Sequence, residues 1–555
     1  MKLVLKYTLT VNLAFLAATV FGQEKKAEPQ AVTEEIEVVR PYKPVLADAV
    51  KIRRSPDLNT NEPFKPSLSY NILDKKLELN TDIRELKAQK LADEKPALLR
   101  NHYAKVGVGN LNTGLAEIYL NTGDDEALQA GFFAKHLSQS GGDLSKQQLS
   151  NQQFGLFGRS IADNLTYAGR LTFDRRSTYF YGLNSALPAP SADPGKQRFN
   201  TLEAEGELYN NYSEASDKLN YGLKLNGYMF GNISEGRENS LALTGYFNKA
   251  FNNFNFGFNA SADFTGAKDE LYSLGNHILR GNPYVKFRGN GFLLNVGLNI
   301  ANEFGDRNRT NVFPSASIEV PIATEYAIIF GGVKGDVVKT SLKELTYENP
   351  FLDNNIALMN AVEKTNVYGG IKGNAGSGFG FRMMAYLKKT DNMPLFVNNP
   401  GTPSRFLMTY DGGESKVAGI EGELSIKASD VFTLTGKAQA NHYDMATEEE
   451  AWFKPGLKVS GTGRLQVNKK LGFDAEVVYN GDSYAKVIDP LSSSQANEIS
   501  RVKSFIDLSA GGEYRINNKL GTYLRVNNIF GTQYQQYLYY PKFGTNIFAG
   551  FNYSF

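Results

Sequence analysis

The chain has 555 residues, with no cysteine, one tryptophan (Trp452) and four histidines. Without a thiol there is no disulfide, no thiolate nucleophile, no cysteine-ligated zinc and no cysteine to carry an N-terminal lipid. The histidines, His102, His136, His277 and His442, are scattered through strand ends and loops and suggest neither a metal centre nor a catalytic one. Sixty Lys and Arg stand against 58 Asp and Glu, a net charge of +2, so no global field points to nucleic acid or to an acidic partner. The glycines around Gly289 sit in a turn rather than between a strand and a helix, which argues against a phosphate cradle. No acid–base pair or activated nucleophile emerges, so neither an enzyme nor a cofactor is expected. The acidic turn Gly123, Asp124, Asp125 and Glu126 has oxygen donors for calcium, although a solvated turn explains it as well. Beyond residue 22 there is no apolar run long enough for a membrane-crossing helix.

What the sequence does contain falls into three parts. Residues 1–22 combine Lys2 and Lys6 with an apolar stretch from Leu13 to Phe21 and small residues at Val20 and Gly22. This reads as a secretory signal peptide, too short for a membrane anchor. Residues 23–100 are charged and punctuated by Pro29, Pro41, Pro44, Pro56, Pro63, Pro66 and Pro96. They lack sustained periodicity and read as an extended segment, with a short helix expected over 81–93, where Asp82 and Glu85 stand at capping spacing.

From residue 101 to 555 the pattern becomes alternation. Leu457, Val459, Gly461, Gly463, Leu465 and Val467 face one way and Lys458, Ser460, Thr462, Arg464 and Gln466 the other. The segment 500–514 reads the same way, with Val502, Ile506, Leu508, Ala510 and Tyr514 opposed by Arg501, Lys503, Asp507 and Glu513. About 22 such segments can be counted, many near ten residues long, the length a tilted strand needs to cross a bilayer. Short turns at Gly123, Ala162, Asn252, Arg288, Val467 and Ile516 largely alternate with longer connectors, among them 136–150, 177–197, 336–363, 387–404, 442–454, 482–500 and 531–542. Lipid offers no partner to a backbone N–H or C=O, so such strands must close on themselves. The fold expected is all-β: a transmembrane antiparallel β-barrel of about 22 strands in the outer-membrane lipids, preceded by an extended periplasmic or lumenal segment. The last strand presents Ile547, Ala549, Phe551, Tyr553 and Phe555 to lipid, with its aromatic end at the interface, where the barrel-assembly machinery would meet it. The charges assigned to the lumen, namely Glu421, Glu423, Lys437, Asp474, Glu476, Arg501, Lys503, Asp507, Glu513 and Arg525, are of mixed sign. They suggest a wet or plugged interior rather than strong ion selectivity. Tyr537, Tyr539 and Tyr540 suit either an aromatic girdle, the preferred reading, or a ligand surface.

Particular stretches carry a family resemblance. RVNNIFGTQYQQYLYY, with Asn528, Ile529, Phe530 and Tyr534, followed by a strand ending on Phe555, resembles the C-terminal strands of TonB-dependent outer-membrane receptors. TYDGGESKVAGIEGELSI, with Gly419, Ile420 and Glu421, resembles that family's long descending strand. The resemblance implies a 22-stranded barrel and transport of a solute across the outer membrane of a Gram-negative cell. The asparagine-rich strands have a Bacteroidota-like flavour. A conventional plug domain is missing, because only residues 23–100 stand where one belongs. Within them TEEIEVVRP (33–41) is similar to the family's TonB box. Glu35, Ile36, Glu37, Val38 and Val39 would add a strand to TonB or another periplasmic protein, or form a β-prone patch in a charged linker. The alternative function is a non-transporting barrel subunit or scaffold of a larger outer-membrane complex, a surface-lipoprotein or barrel-assembly machine.

Overall fold

The computed structural model describes residues 102–555 apart from 123–126, 184–193, 213–216, 324–325, 375, 377 and 489–496. The signal peptide, the segment 23–100 with its helix at 81–93 and the Glu35–Val39 stretch, and the acidic turn Gly123–Glu126 lie outside the described residues.

Twenty-two strands pair antiparallel in chain order around one sheet. The first, His102–Gly109, pairs with the last, Asn546–Ser554, in a register running from Tyr103↔Ser554 to Gly109↔Phe548. Beyond it the chain end is sewn on: His102 N donates to the Phe555 carbonyl (3.1 Å) and Phe555 N to that of His102 (3.0 Å). The sheet therefore closes as a barrel, as lipid requires. Its alternation sorts the two faces. In the last strand Ile547, Phe551, Tyr553 and Phe555 are exposed outward, while Asn546, Phe548, Asn552 and Ser554 are buried toward the lumen. The same holds around the wall, where Leu223, Leu225, Leu241, Leu243, Val296, Leu298 and Ile420 stand exposed on the outside. No helix among the described residues is long and apolar enough to cross a membrane. This is an outer-membrane barrel, its outer skin suited to hydrocarbon.

The two ends of the barrel differ. At one, strands reverse in as few as two residues, at 252–253 and 290–291. Asn252 (φ 53°) and Gly291 (φ 86°) supply the left-handed backbone that tight hairpins demand. Outward rings collect at this end, with Phe254 and Phe287 at 4.9 Å and Phe287 and Phe292 at 5.7 Å between centroids, forming an interface girdle of the kind that flanks the apolar band. Short turns mark the periplasmic side. The long connectors leave the other, external end, and several are shorter than the alternation suggested because strands keep pairing above the bilayer. Phe379–Asn398 and Phe406–Ala428 form the tallest hairpin, leaving only 399–405 as its tip.

One expected strand is broken. The segment 500–514 contains two elements, Asn497–Val502 and Phe505–Arg515. The first pairs with Ser483–Ile488 in a separate external hairpin; the second belongs to the wall. The break follows from Asp482, whose carboxylate accepts from Ser504 N (2.7 Å) and from Arg501. Arg501 and Lys503 are consequently exposed on the outside of the cell, not in the lumen.

Candidate functional site: the capped outer mouth and the charged lumen

The connector 339–360 forms a folded cap. It contains one helix, α1, over Leu342–Glu348. Ser341 caps it, its hydroxyl accepting from Glu344 N at 3.1 Å. The wall supplies a second acceptor, because the Glu238 carboxylate accepts from Leu342 N (2.8 Å) and Lys343 N (3.2 Å). Ion pairs dock both sides of this turn: Lys339 with Asp263 at 2.7 Å and Lys343 with Glu203 at 2.8 Å. Farther along the helix, the Arg176 guanidinium lies 3.4 Å from the centre of the Tyr347 ring, whose hydroxyl donates to Asp174 at 2.9 Å. The far end is held by Asn360, which exchanges hydrogen bonds with Asn276 (2.7 and 2.9 Å), and by Asp353, paired with Arg405 at 2.8 Å. Ser341-Leu-Lys-Glu344 is a capping box, a helix start signal the alternation reading passed over.

Beneath these polar ties lies an apolar core at the mouth. Leu342, Leu345, Phe351, Leu352, Ile356 and Leu358 pack against Tyr181, Phe199, Phe230, Phe396, Phe406, Tyr537 and Tyr540. Phe351 stacks on Tyr540 with centroids 3.5 Å apart and planes at 16°. The Tyr540 hydroxyl donates to the Ser404 carbonyl, and that of Tyr537 to the Glu348 carbonyl at 2.7 Å. Burial drives both phenols well above their usual pKa. Tyr537 and Tyr540 therefore belong neither to a lipid girdle nor to an open ligand surface; they are core residues of the cap. Tyr539 is half-buried beside them.

The contributors come from all around the ring. Phe180 and Tyr181 follow the fifth strand, Leu165–Tyr179, and Arg405 precedes the sixteenth, Phe406–Ala428. The Arg405 guanidinium nevertheless sits 4.4 Å from the Phe180 ring centre. In a closed ring of 22 strands these are nearly opposite walls, so loops meet across the diameter and bridge the external mouth. A further anchor is Glu448 in the connector 445–456, which accepts from Trp452 Nε1 (2.7 Å) and Lys486 Nζ (2.9 Å). Burial works against that carboxylate, but the hydrogen bonds from Lys486 and Trp452 outweigh it and hold its pKa below the usual range.

Below the cap the lumenal wall is charged and largely self-paired. Lys437 bridges Glu421 (3.0 Å) and Glu423 (3.1 Å), and Arg525 bridges Asp474 (2.6 Å) and Glu476 (3.2 Å). Asp507 accepts from the Tyr534 hydroxyl and Glu513 from Asn552. These eight residues stand in the lumen as the alternation placed them, and their mixed signs leave no strong single-sign field. Among the described residues no three His, Asp or Glu side chains are grouped to hold a metal. The ring of His102 lies 5.0 Å from that of Phe555 and the ring of His277 5.1 Å from that of Phe304, both pairs tilted and each part of the wall.

The stretches behind the resemblance also gain physical reasons. Asn528 adopts φ 48°, and its side-chain amide donates to the carbonyls of Thr532 and Phe543, turning the strand into its loop. Tyr534 then stacks on Phe505 at 3.9 Å. Gly419 leaves room for the Tyr386 ring, since a Cβ there would lie 2.3 Å from it. Ile420 points to lipid and Glu421 to the lumen. Phe551, Tyr553 and Phe555 line up on the outer face, the last two stacked at 5.5 Å.

No family model matches the chain, and no curated protein resembles it in sequence. Solved structures do resemble it. The pyoverdine outer-membrane receptor FpvA of Pseudomonas aeruginosa PAO1 superposes with a TM-score of 0.63 at 12% identity, over 84% of this chain and 81% of that one. The FrpB iron transporter of Neisseria meningitidis gives 0.62 at 11%, over 82% and 83%. The ferric-catecholate import receptor Fiu of Escherichia coli K12 gives 0.61 at 9%, over 83% of each chain. The chain shares the closed 22-stranded barrel fold of these outer-membrane siderophore and iron receptors.

Proposed function

We propose that this protein is an outer-membrane transporter of the TonB-dependent receptor kind that works without a conventional plug domain. A solute, its identity open, would enter from the external face, pass the cap and cross the charged lumen. The observation that carries this reading is the bridged outer mouth: loops from opposite walls share one core over a lumen lined with paired charges. Such a barrier closes the barrel at rest and lies where an incoming solute arrives. The segment 23–100 would act from the periplasmic side, with Glu35, Ile36, Glu37, Val38 and Val39 offered as an added strand to TonB or another periplasmic protein. Phe551, Tyr553 and Phe555 would serve the barrel-assembly machinery during insertion.

Single-channel conductance and liposome swelling test the proposal, using the mature chain, a version lacking 23–100 and a cap-loosened variant. Opening by either change supports a gated path. If all three stay closed to ions and small solutes, the transport reading falls. The cap's apolar core favours one alternative, a permanently shut barrel acting as a scaffold within a larger complex with surface lipoproteins or assembly factors. Purification in mild detergent separates the two: stoichiometric companions favour the scaffold, a solitary barrel the transporter.

A further inference from the structure

The outer wall carries a feature that transport does not use. On the strand Leu165–Tyr179 the lipid-facing side chains ascend through Tyr167, Leu171 and Phe173, with Tyr167 and Leu171 exposed. The next outward residue is Arg175. On the neighbouring strand, Lys196–Asn210, Leu202 is exposed outward while Gln197, Phe199 and Thr201 are buried inward, so Asn200, Arg198 and Lys196 also face out. Their register is direct: Gln152↔Arg175↔Asn200, Ser150↔Ser177↔Arg198 and Tyr179↔Lys196. Lys196 and Lys146 lie 5.7 and 5.9 Å from the Tyr179 ring centre, at the external end of the strand.

From Leu165 to Phe173 the apolar stretch rises about 20 Å at ~3.3 Å per residue and the usual tilt, close to the height of an outer-membrane barrel's apolar band. Arg175 and Arg198 thus fall at the level of lipid headgroups in the outer leaflet. Among the described residues no carboxylate neutralises them. The adjacent carboxylate, Asp174, points the other way, toward Tyr347 and Arg176. Arg175 has no carboxylate partner among the described residues, and Arg198 Nε is buried without a hydrogen-bond acceptor. Like charges gathered on neighbouring strand positions repel, and the arrangement calls for an anion. Guanidinium forks match phosphate oxygens in two-point contact, with the hydroxyls of Ser150 and Ser177 and the amides of Gln152 and Asn200 around them. We propose that Arg175, Arg198 and Lys196, beside Tyr179, form a binding site on the outer wall for the phosphate of an outer-leaflet lipid.

The test uses the mature protein in a neutral detergent, with native mass spectrometry counting bound lipid. The probes are monophosphoryl lipid A, the same lipid without its phosphate, and inorganic phosphate. The phosphorylated lipid is retained by the wild type and at least ten-fold less by Arg175→Gln/Lys196→Gln/Arg198→Gln. Lys249→Gln, a cation on the outer face at the opposite rim, leaves retention unchanged. Arg175→Lys/Arg198→Lys binds between the two, and heat-modifiable electrophoretic mobility verifies that each variant is folded. Retention by the triple variant equal to wild type overturns the proposal. So does equal retention of the phosphate-free lipid, or binding of inorganic phosphate with no lipid retained.

Discussion

The wall of the barrel and the cap over its external mouth are built on different principles. In the wall, 21 of the 22 pairings join strands that follow one another in chain order around the sheet, and only the closing pair joins the two ends of the chain. The cap is the reverse: Phe351 meets Tyr540, and Lys339 meets Asp263, across 189 and 76 positions of sequence. One molecule thus holds a locally specified frame and a globally specified lid, and the lid should fail first. Its partners are a modest apolar core and a few ion pairs, whereas lipid forbids the wall to open at all.

Four substitutions separate wall from cap. The largest effect belongs to the wall. In Gly550→Val the added Cβ would lie 1.8 Å from the Val106 carbonyl oxygen, on the seam between last and first strands. Backbone cannot move aside cheaply, so the folded, heat-modifiable species should be lost. Next, Phe351→Ala removes a buried ring from the cap at about 3–5 kcal/mol. Protease should then cut within 339–360 while the barrel stays folded; unfolding of the whole barrel would show that wall and cap are one cooperative unit. Asp263→Asn removes the countercharge of Lys339 and leaves it only neutral acceptors such as the Ser240 and Thr265 hydroxyls; it should cost the cap about 1–3 kcal/mol, seen as milder proteolysis at the same sites. The smallest effect is on pH. Because the folded Glu448 pKa lies below its usual 4.5, its contribution is complete above that value and is lost as pH falls through the lowered one. Cleavage within 445–456 should rise under acid, and Glu448→Gln should flatten the dependence.

The same contrast explains what was legible. Each of the alternating segments counted in the sequence corresponds to a wall strand, because a half-buried strand writes its two faces directly into its residues. The one split strand misled because Val502 continues the apolar rhythm into Ile506, although a new element begins at Phe505. Alternation cannot reveal that Asp482 has pulled Ser504 out of line. The lumenal charges were readable by the same two-residue period. The cap was not. Tyr537 and Tyr540 look like interface aromatics because nothing local says that Phe351 and Phe406 will reach them from other walls. Helix α1 could have been found from Ser341 and Glu344; its docking on Glu238 and Asp174 could not.

Trp452 is 1% exposed and is bonded to Glu448 within the external loops. Since it is the sole indole in the chain, beside 30 tyrosines, emission excited at the red edge of the absorption band, where phenols do not absorb, comes from one known place. A solute, a partner or a protein neighbour that pries the loops apart would move that ring into water and shift its emission to longer wavelength. Opening of the mouth can therefore be followed by light alone, on the unlabelled and unmutated chain.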